Sequence, residues 1–482
     1  MDVSEPLLVE ASAEITNSVG RENETAEAAA AAAANIGGDS SSISAVLVLS
    51  IVVFVCGSFA NGCAGGFTSP AEDGIMGELG LSTAEYSVFG SIYTIGGMLG
   101  ALISGKVCDL IGRKRTLPLM QAFCILGWLA IAFAQAAWLL DLGRLSTGVG
   151  FGLFTFVNPV YTAEIAPKNI RGAFTSLSPL LLAGGASLMF LIGNLLYWRY
   201  LAVIAIVPCA FQLIGSFFVP ESPRWLAKIG QEKEVETTLK HLRGKNVDIS
   251  QEAAEIRNFV ENLQQLSESS FLDLFQRKYA RSLIVGVGLM FLAQLGGFTG
   301  ISFYASSVFE AAGLSSSIGT TSIAIIQIPF ALIGVLLMDK VGRRPLLLVT
   351  AACAFLGSFL AGLAFLLQDF GLGKESTVIL VLSGILVYYA SYSLGLYGIP
   401  WVIVSEIFPM NIKGSAGSLV IFVNWTSSWI VTYSFNFLFD WSRAGIFFIF
   451  ASICGSIVIF SLKMVPETKK KTLEEIQVSM IS

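Results

Sequence analysis

Long apolar runs, broken at short intervals by charged or glycine-bearing turns, set the pattern of this chain. About twelve runs fall near residues 44–67, 86–107, 117–135, 138–160, 173–193, 199–219, 282–311, 318–338, 346–368, 377–405, 415–438 and 444–464. A hydrocarbon slab about 30 Å thick asks for roughly 20 mostly apolar residues per spanning helix, which each run can supply. The pattern predicts an all-α integral membrane protein with twelve transmembrane helices. Composition agrees, since 54% of residues are hydrophobic and only 13% charged, against about 25% charged in a soluble domain. The 48 glycines suit packing in lipid, where small residues let helix backbones approach.

Polar segments divide the runs. Residues 1–43 are polar and acidic, with an alanine run from Ala28 to Ala34 and a GGDSSS stretch, and read as a disordered cytosolic tail. They lack the basic-then-apolar order of a signal peptide, so the first span is expected to act as the targeting signal. Six spans follow over 44–219, then a polar segment over 220–281. Six more spans occupy 282–465, and 466–482 forms a second cytosolic tail. Within the central segment, KEVETTLKHLRG and SQEAAEIRNFVENLQQL space their apolar residues as helices do. With the amino terminus inside, the inner turns receive Arg113, Lys114, Arg115, Lys168, Arg171, Lys340, Arg343, Arg344 and Lys413, with ten more basic residues from Arg224 to Arg281. The outer turns keep little beyond Arg199, Lys374 and Arg443. That asymmetry places both termini in the cytosol.

Composition also excludes classes. A net charge of −5 gives no sign of a nucleic-acid partner, and the single histidine, His241, lies in the central polar segment. No nucleophile–histidine arrangement or metal cluster stands out, so neither an enzyme nor a cofactor is expected. The seven cysteines lie within or beside apolar spans and read as small packing residues.

Three motifs recur in the same order. DLIGRK at Asp109–Lys114 returns as DKVGRR at Asp339–Arg344; AEIAPKNIRG (163–172) returns as SEIFPMNIKG (405–414); PESPR (220–224) returns as PETKK (466–470). The offsets are 230, 242 and 246 residues. Three pairs in register imply two homologous six-helix bundles, the architecture of a carrier whose halves rock about a midplane site. The charged residues of these turns, Asp109, Arg113, Glu164, Arg171, Glu221 and Arg224 in one half and Asp339, Arg343, Glu406, Lys413 and Glu467 in the other, form a candidate inner-gate network. Exposed ion pairs contribute about 0–1 kcal/mol each, which suits a latch that opens in every cycle. Plain topology and helix capping are the alternative reading.

With these motifs, the GRL of Gly143–Leu145, and the QLGG (294–297), PW (400–401) and NWT (424–426) segments, the chain resembles the sugar porter family of the major facilitator superfamily. The resemblance runs from about 44 to 475 and is closest to the plant early-response-to-dehydration-like monosaccharide transporters. It implies the major facilitator fold, a central hexose site reached by alternating access, and short cytosolic helices in 220–281. It also implies sugar contacts at Gln294, Thr299, Gln327, Trp401 and Asn424, and an aromatic outer gate at Phe303 and Tyr304. Three family amide positions are altered here, to Ala293, Thr299 and Pro179, and GSFANG (57–62) offers Asn61 in the first span. At roughly 0.5–1.5 kcal/mol per hydrogen bond, the loss predicts a weakly held sugar or a less hydroxylated, non-sugar metabolite. A non-transporting sensor is a third possibility.

Proton-driven members of that family pair a first-span carboxylate with the arginine that corresponds to Arg144. The first span here has no Asp or Glu between Ser44 and Ser69, so facilitated diffusion is expected, with Asp141 as a structural partner for Arg144. Glu5-Pro6-Leu7-Leu8 resembles an acidic dileucine signal, which points to a sorting adaptor and to the vacuolar membrane ahead of the plasma membrane.

Overall fold

The computed structural model describes residues 44–167, 171–244, 247–265, 274–371, 374–409, 412–469 and 475–476, with the side chains of 171–176, 262–265, 339, 374 and 413 outside the described set. Six long helices form the first half: α1 (Ala45–Leu79), α2 (Thr83–Ile111), α3 (Arg113–Ala132), α4 (Ala137–Ile165), α5 (Arg171–Gly193) and α6 (Trp198–Ser216). Three amphipathic helices follow, α7 (Pro223–Lys228), α8 (Glu232–Arg243) and α9 (Ser250–Gln265). The second half starts with a broken span, α10 (Ala280–Leu295), α11 (Phe298–Phe303) and α12 (Ala305–Ala311). Then come α13 (Ser316–Val341), α14 (Arg343–Asp369), α15 (Lys374–Ser391) with α16 (Ile399–Ile407), α17 (Lys413–Trp441) and α18 (Arg443–Met464).

These make twelve spans in two six-helix bundles. Nine stretches among the described residues are long and apolar enough to cross a membrane by composition alone; α4 and α17, which carry polar interior residues, and α5 complete the set. Large apolar side chains such as Val207, Ile325 and Ile379, each about two-thirds exposed, coat the outside, where lipid replaces water. The expected helices of the central segment are present as α7, α8 and α9, with a small apolar core of Trp225, Leu226, Val235, Leu239 and Ile256.

Close contact inside the first half depends on paired glycines. Gly96 and Gly100 on α2 face Gly148 and Gly152 on α4; a Cβ at Gly148 would lie 2.2 Å from the Tyr93 carbonyl, and one at Gly96 would lie 2.3 Å from that of Leu145. Two small-xxx-small stripes thus let the backbones touch.

The duplicated turn has one geometry in both halves. Gly112 and Gly342 take φ of +91° and +109°, a region that glycine enters freely, and the next helix begins at once. Glu221 accepts from the Arg113 and Lys114 amides at 2.9 and 3.0 Å; Glu467 accepts from those of Arg343 and Arg344, both at 3.2 Å. Each carboxylate therefore caps the positive end of a helix. A Cβ on Gly112 would lie 2.3 Å from Glu221 Oε2, so the glycine is needed for space as well as for φ. Burial pushes the Glu221 carboxyl up, opposed by hydrogen bonds from the Lys114, Ser222 and Arg113 amides. Replacing Glu221 by alanine should lower the melting midpoint by about 2–6 °C, the scale of a lost cap; an unchanged midpoint by fluorescence-detected unfolding would refute the capping role.

Candidate substrate cavity

Two helix breaks place polar groups at mid-depth in the second half. The span opened by α10 stops at Gly296 and turns through Gly297 (φ +101°), putting Gln294 on one side of the break and Thr299 on the other. The carbonyls of Ala293 and Gly296 are recovered by the Tyr392 hydroxyl at 3.0 Å and the Tyr388 hydroxyl at 2.9 Å. Irregular backbone at membrane depth is tolerated where protein satisfies it in this way. Tyr392 opens a π-turn at Tyr392–Leu396 and Tyr388 lies one turn before it; beyond that turn α16 presents Trp401.

The breaks open onto a cavity of about 580 Å³ between the halves. Gln294, Thr299, Gln327, Trp401, Asn424 and Phe303 all line it, as does Asn61. The polar groups of the second half form one line. Gln294 Nε2 donates to Asn424 Oδ1 at 2.8 Å, Thr299 Oγ1 donates to Gln294 Oε1 at 3.2 Å, and Ser428 Oγ donates to Thr299 Oγ1 at 3.3 Å. From the first half, Tyr93 donates to Asn61 Oδ1 at 2.7 Å, and Asn158 donates to Ser178 Oγ at 2.9 Å. Asn158 Oδ1, Gln327 Oε1 and Trp425 Nε1 are buried without a hydrogen-bond partner among the described residues. Trp425 belongs to the NWT segment; Tyr93, Asn158 and Ser178 carry no sequence signal, because one polar or aromatic residue in an apolar helix leaves no local signature.

One end of the cavity is closed by contacts between the halves. Ser69 and Ser306 hydroxyls meet at 2.8 Å, Asn436 Nδ2 donates to Ser87 Oγ at 3.1 Å, and Asn194 Nδ2 donates to Thr320 Oγ1 at 3.0 Å. Ser307 donates to the Glu72 carboxylate at the same end. Phe303 faces Tyr93 edge-on at 6.3 Å. Tyr304 lies behind it, stacked on Phe435 at 5.2 Å, with its hydroxyl donating to the Thr432 carbonyl at 3.2 Å. Toward the charged turns the lining continues through Thr162, Val404, Ser405 and Gly417, near the ends of α4 and α16 and the start of α17.

The charged residues themselves pair inside each half. Arg113 grips Glu164 through two nitrogens at 3.1 Å and reaches Asp109 at 3.3 Å, and Arg343 meets Glu406 at 3.5 Å. Arg224 turns instead onto the Phe259 ring at 4.8 Å. The side chains of Arg171, Asp339 and Lys413 lie outside the described residues.

Arg144 departs from expectation. It is fully buried, donates to the Ala64 carbonyl at 3.0 Å and to Thr68 Oγ1, and lies over the Tyr93, Phe89 and Phe303 rings at 4.6, 5.4 and 5.5 Å. Asp141 is not among these partners. A backbone carbonyl, a hydroxyl and three aromatic faces surround the guanidinium, and they come from neighbouring helices because its position on α4 directs it into the bundle.

The sequence profile of the family described as "Sugar (and other) transporter" matches residues 25–480. Among curated proteins, the sugar transporter ERD6-like 11 of Arabidopsis thaliana is 50% identical over 442 residues, covering 92% of this chain and 95% of that protein. The Arabidopsis sugar transporter ESL1 is 49% identical over 438 residues, covering 91% and 93% respectively. Among solved structures, a partially occluded inward-open xylose transporter XylE from E. coli superposes with a TM-score of 0.75 at 22% identity, covering 89% of this chain and 100% of that one. The last likeness supports the fold, and the first three support the lineage. This chain belongs to the sugar transporter family, built on the twelve-helix major facilitator fold.

Proposed function

We propose that this chain carries a monosaccharide across a membrane by alternating access, as a uniporter, with both termini and the charged turns in the cytosol. The observation that supports it most is the cavity between the halves. It is closed at one end by hydrogen bonds across the seam, continues toward the charged turns at the other, and carries a pre-ordered line of amides and hydroxyls at mid-depth. Its volume lies in the range of small-molecule sites. On this topology the conformation is inward-facing. The names of the curated relatives favour a sugar over a less hydroxylated metabolite.

Gln294 is the centre of the polar line. Replacing it by alanine removes the donor to Asn424 Oδ1 and the acceptor of the Thr299 proton, and each lost hydrogen bond is worth about 0.5–1.5 kcal/mol. The expected result is a KM for monosaccharide uptake raised about tenfold or more; uptake kinetics identical to the wild type would remove Gln294 from the site.

Uniport rests on the surroundings of Arg144, where α1 supplies Ala64 and Thr68 and no carboxylate. Purified carrier in vesicles should show labelled-sugar counterflow without a change of internal pH on a sugar pulse. A stoichiometric pH change would overturn uniport, and failure of every monosaccharide in the panel would overturn the carrier reading.

The turn residues serve as an inner latch whose members brace each half when that end is parted and meet across the seam when it closes. Asp109, Arg113, Glu164, Glu221, Arg343, Glu406 and Glu467 already form helix-end clasps; Arg171, Arg224, Asp339 and Lys413 complete the proposed set. The tail bearing Glu5, Leu7 and Leu8 lies outside the described residues. Its dileucine pattern supports a vacuolar address read by a sorting adaptor, and Leu7→Ala with Leu8→Ala should move a tagged carrier to another membrane.

A further inference from the structure

A second, smaller cavity of about 60 Å³ adjoins the first and shares Pro179, Leu182, Phe298, Gln327, Tyr397 and Gly398 with it. Beyond those residues its wall is mainly Ala183 on α5, Ala331, Val335 and Met338 on α13, and Ser393 and Leu394 in the π-turn. Gln327, Ala331, Val335 and Met338 recur at helical spacing, so one face of α13 carries a polar residue at the mouth and an apolar stripe behind it. Gly334 closes the back: a Cβ there would lie 2.0 Å from the Leu394 carbonyl, so α13 touches the π-turn directly.

We propose that this side pocket is a subsite for a short apolar substituent carried by the sugar, such as an O-alkyl group or a small apolar aglycone. The inference rests on the monosaccharide reading and names the class of sugar derivative that the same site holds best. Four observations support it. Gln327 is 4% exposed, and its Oε1 is enclosed without a partner among the described residues, so a turn of the side chain at the shared mouth would let it accept from a hydroxyl of the bound ring. The wall behind it is apolar apart from Ser393, and a mostly apolar cavity is a poor host for water and a good one for hydrocarbon. The space is several times the roughly 10–15 Å³ that one water needs, which suits a chain of a few carbons. The floor is fixed, because Phe298 stacks on Tyr392 at 4.8 Å and 11°.

Displacement of labelled D-glucose from the purified full-length carrier, with alkyl glucosides from methyl to hexyl in both anomers and the 6-O-alkyl ethers, tests this. In at least one series the half-inhibitory concentration should fall about three- to fourfold for each of the first two or three added methylenes, then level off. Ala331→Leu, which fills the pocket, should flatten that slope and leave D-glucose displacement by unlabelled D-glucose unchanged. Val335→Ala, which enlarges it, should carry the slope one carbon further, and it serves if the first variant does not fold. A flat series beside intact D-glucose binding overturns the subsite alone. An equal slope in wild type and both variants assigns the gain to bilayer partitioning and also overturns it. Absence of any D-glucose binding or uptake overturns the monosaccharide reading and the subsite with it.

Discussion

A Ser69→Cys/Ser306→Cys double variant is expected to lose all sugar uptake on oxidation and to regain it with a thiol reductant. The two hydroxyls lie 2.8 Å apart, one on α1 and one on α12, and both residues are at least nine-tenths buried. A disulfide requires side chains that already converge, with sulfurs about 2.05 Å apart, so a small adjustment joins them. The bond would fix the halves together at the end where Asn436 meets Ser87 and Asn194 meets Thr320. Alternating access needs that end to open, so a covalent tie there stops turnover however well the cavity still binds sugar. Either single variant keeps one hydroxyl at the seam and forms no covalent tie, so each should still transport whether or not oxidant is present. The check is uptake into vesicles, with disulfide formation followed by mass spectrometry. Full uptake with quantitative disulfide would mean that this seam does not part during transport.

The other large effect is structural. Gly148→Val should leave little folded carrier, because the added Cβ would lie 2.2 Å from the Tyr93 carbonyl and 3.0 Å from the Gly96 Cα. Neither is a side-chain tip that can swing aside; both are backbone on α2. The helices must separate, and Arg144 on α4 would then lose its positions over Tyr93 and Phe89. Overpacking of a rigid core typically costs 1–3 kcal/mol. Against backbone the upper end applies, so the melting midpoint should drop by about 10 °C and the detergent-extracted protein should lose its monodisperse peak. Gly77→Ala, where a Cβ meets nothing within 4 Å, is the matched control. A Gly148→Val protein of normal stability would show that α2 and α4 are not in backbone contact.

The spans were legible because hydrocarbon thickness demands a minimum apolar length, and a run such as 444–464 satisfies it without knowledge of its neighbours. The repeat was legible because its motifs are polar and local. What the sequence conceals is where a helix stops inside an apolar stretch. Gly296 and Gly297 mark the break before α11 only when Tyr388 and Tyr392, almost a hundred residues later, are known to collect the freed carbonyls. The site divides along the same line. Gln294 and Asn424 could be named from motif resemblance, and they meet at 2.8 Å. The contributions of Tyr93 and Asn158 depend on which face of α2 and α4 turns inward, which the glycine stripes decide. Arg144 illustrates the limit: its position one turn after Asp141 suggested an ion pair along the helix, and the actual partners come from α1, α2 and α11.

Among the described bonds, α7 and α8 are fastened to the first half. Trp225 Nε1 donates to the Asp109 carbonyl, Lys228 meets the Asp109 carboxylate, Arg243 donates to the Ile165 carbonyl, and Ser44 donates to the His241 carbonyl. Every one of these tethers ends on α2, on α4 or at Ser44, the N-cap of α1. Cargo docked on that platform would ride with the first bundle as ballast, slowing each swing by drag and obstruction while sugar affinity stayed the same. Such a brake would appear in kinetics as a lower ceiling on flux with an unaltered half-saturation point.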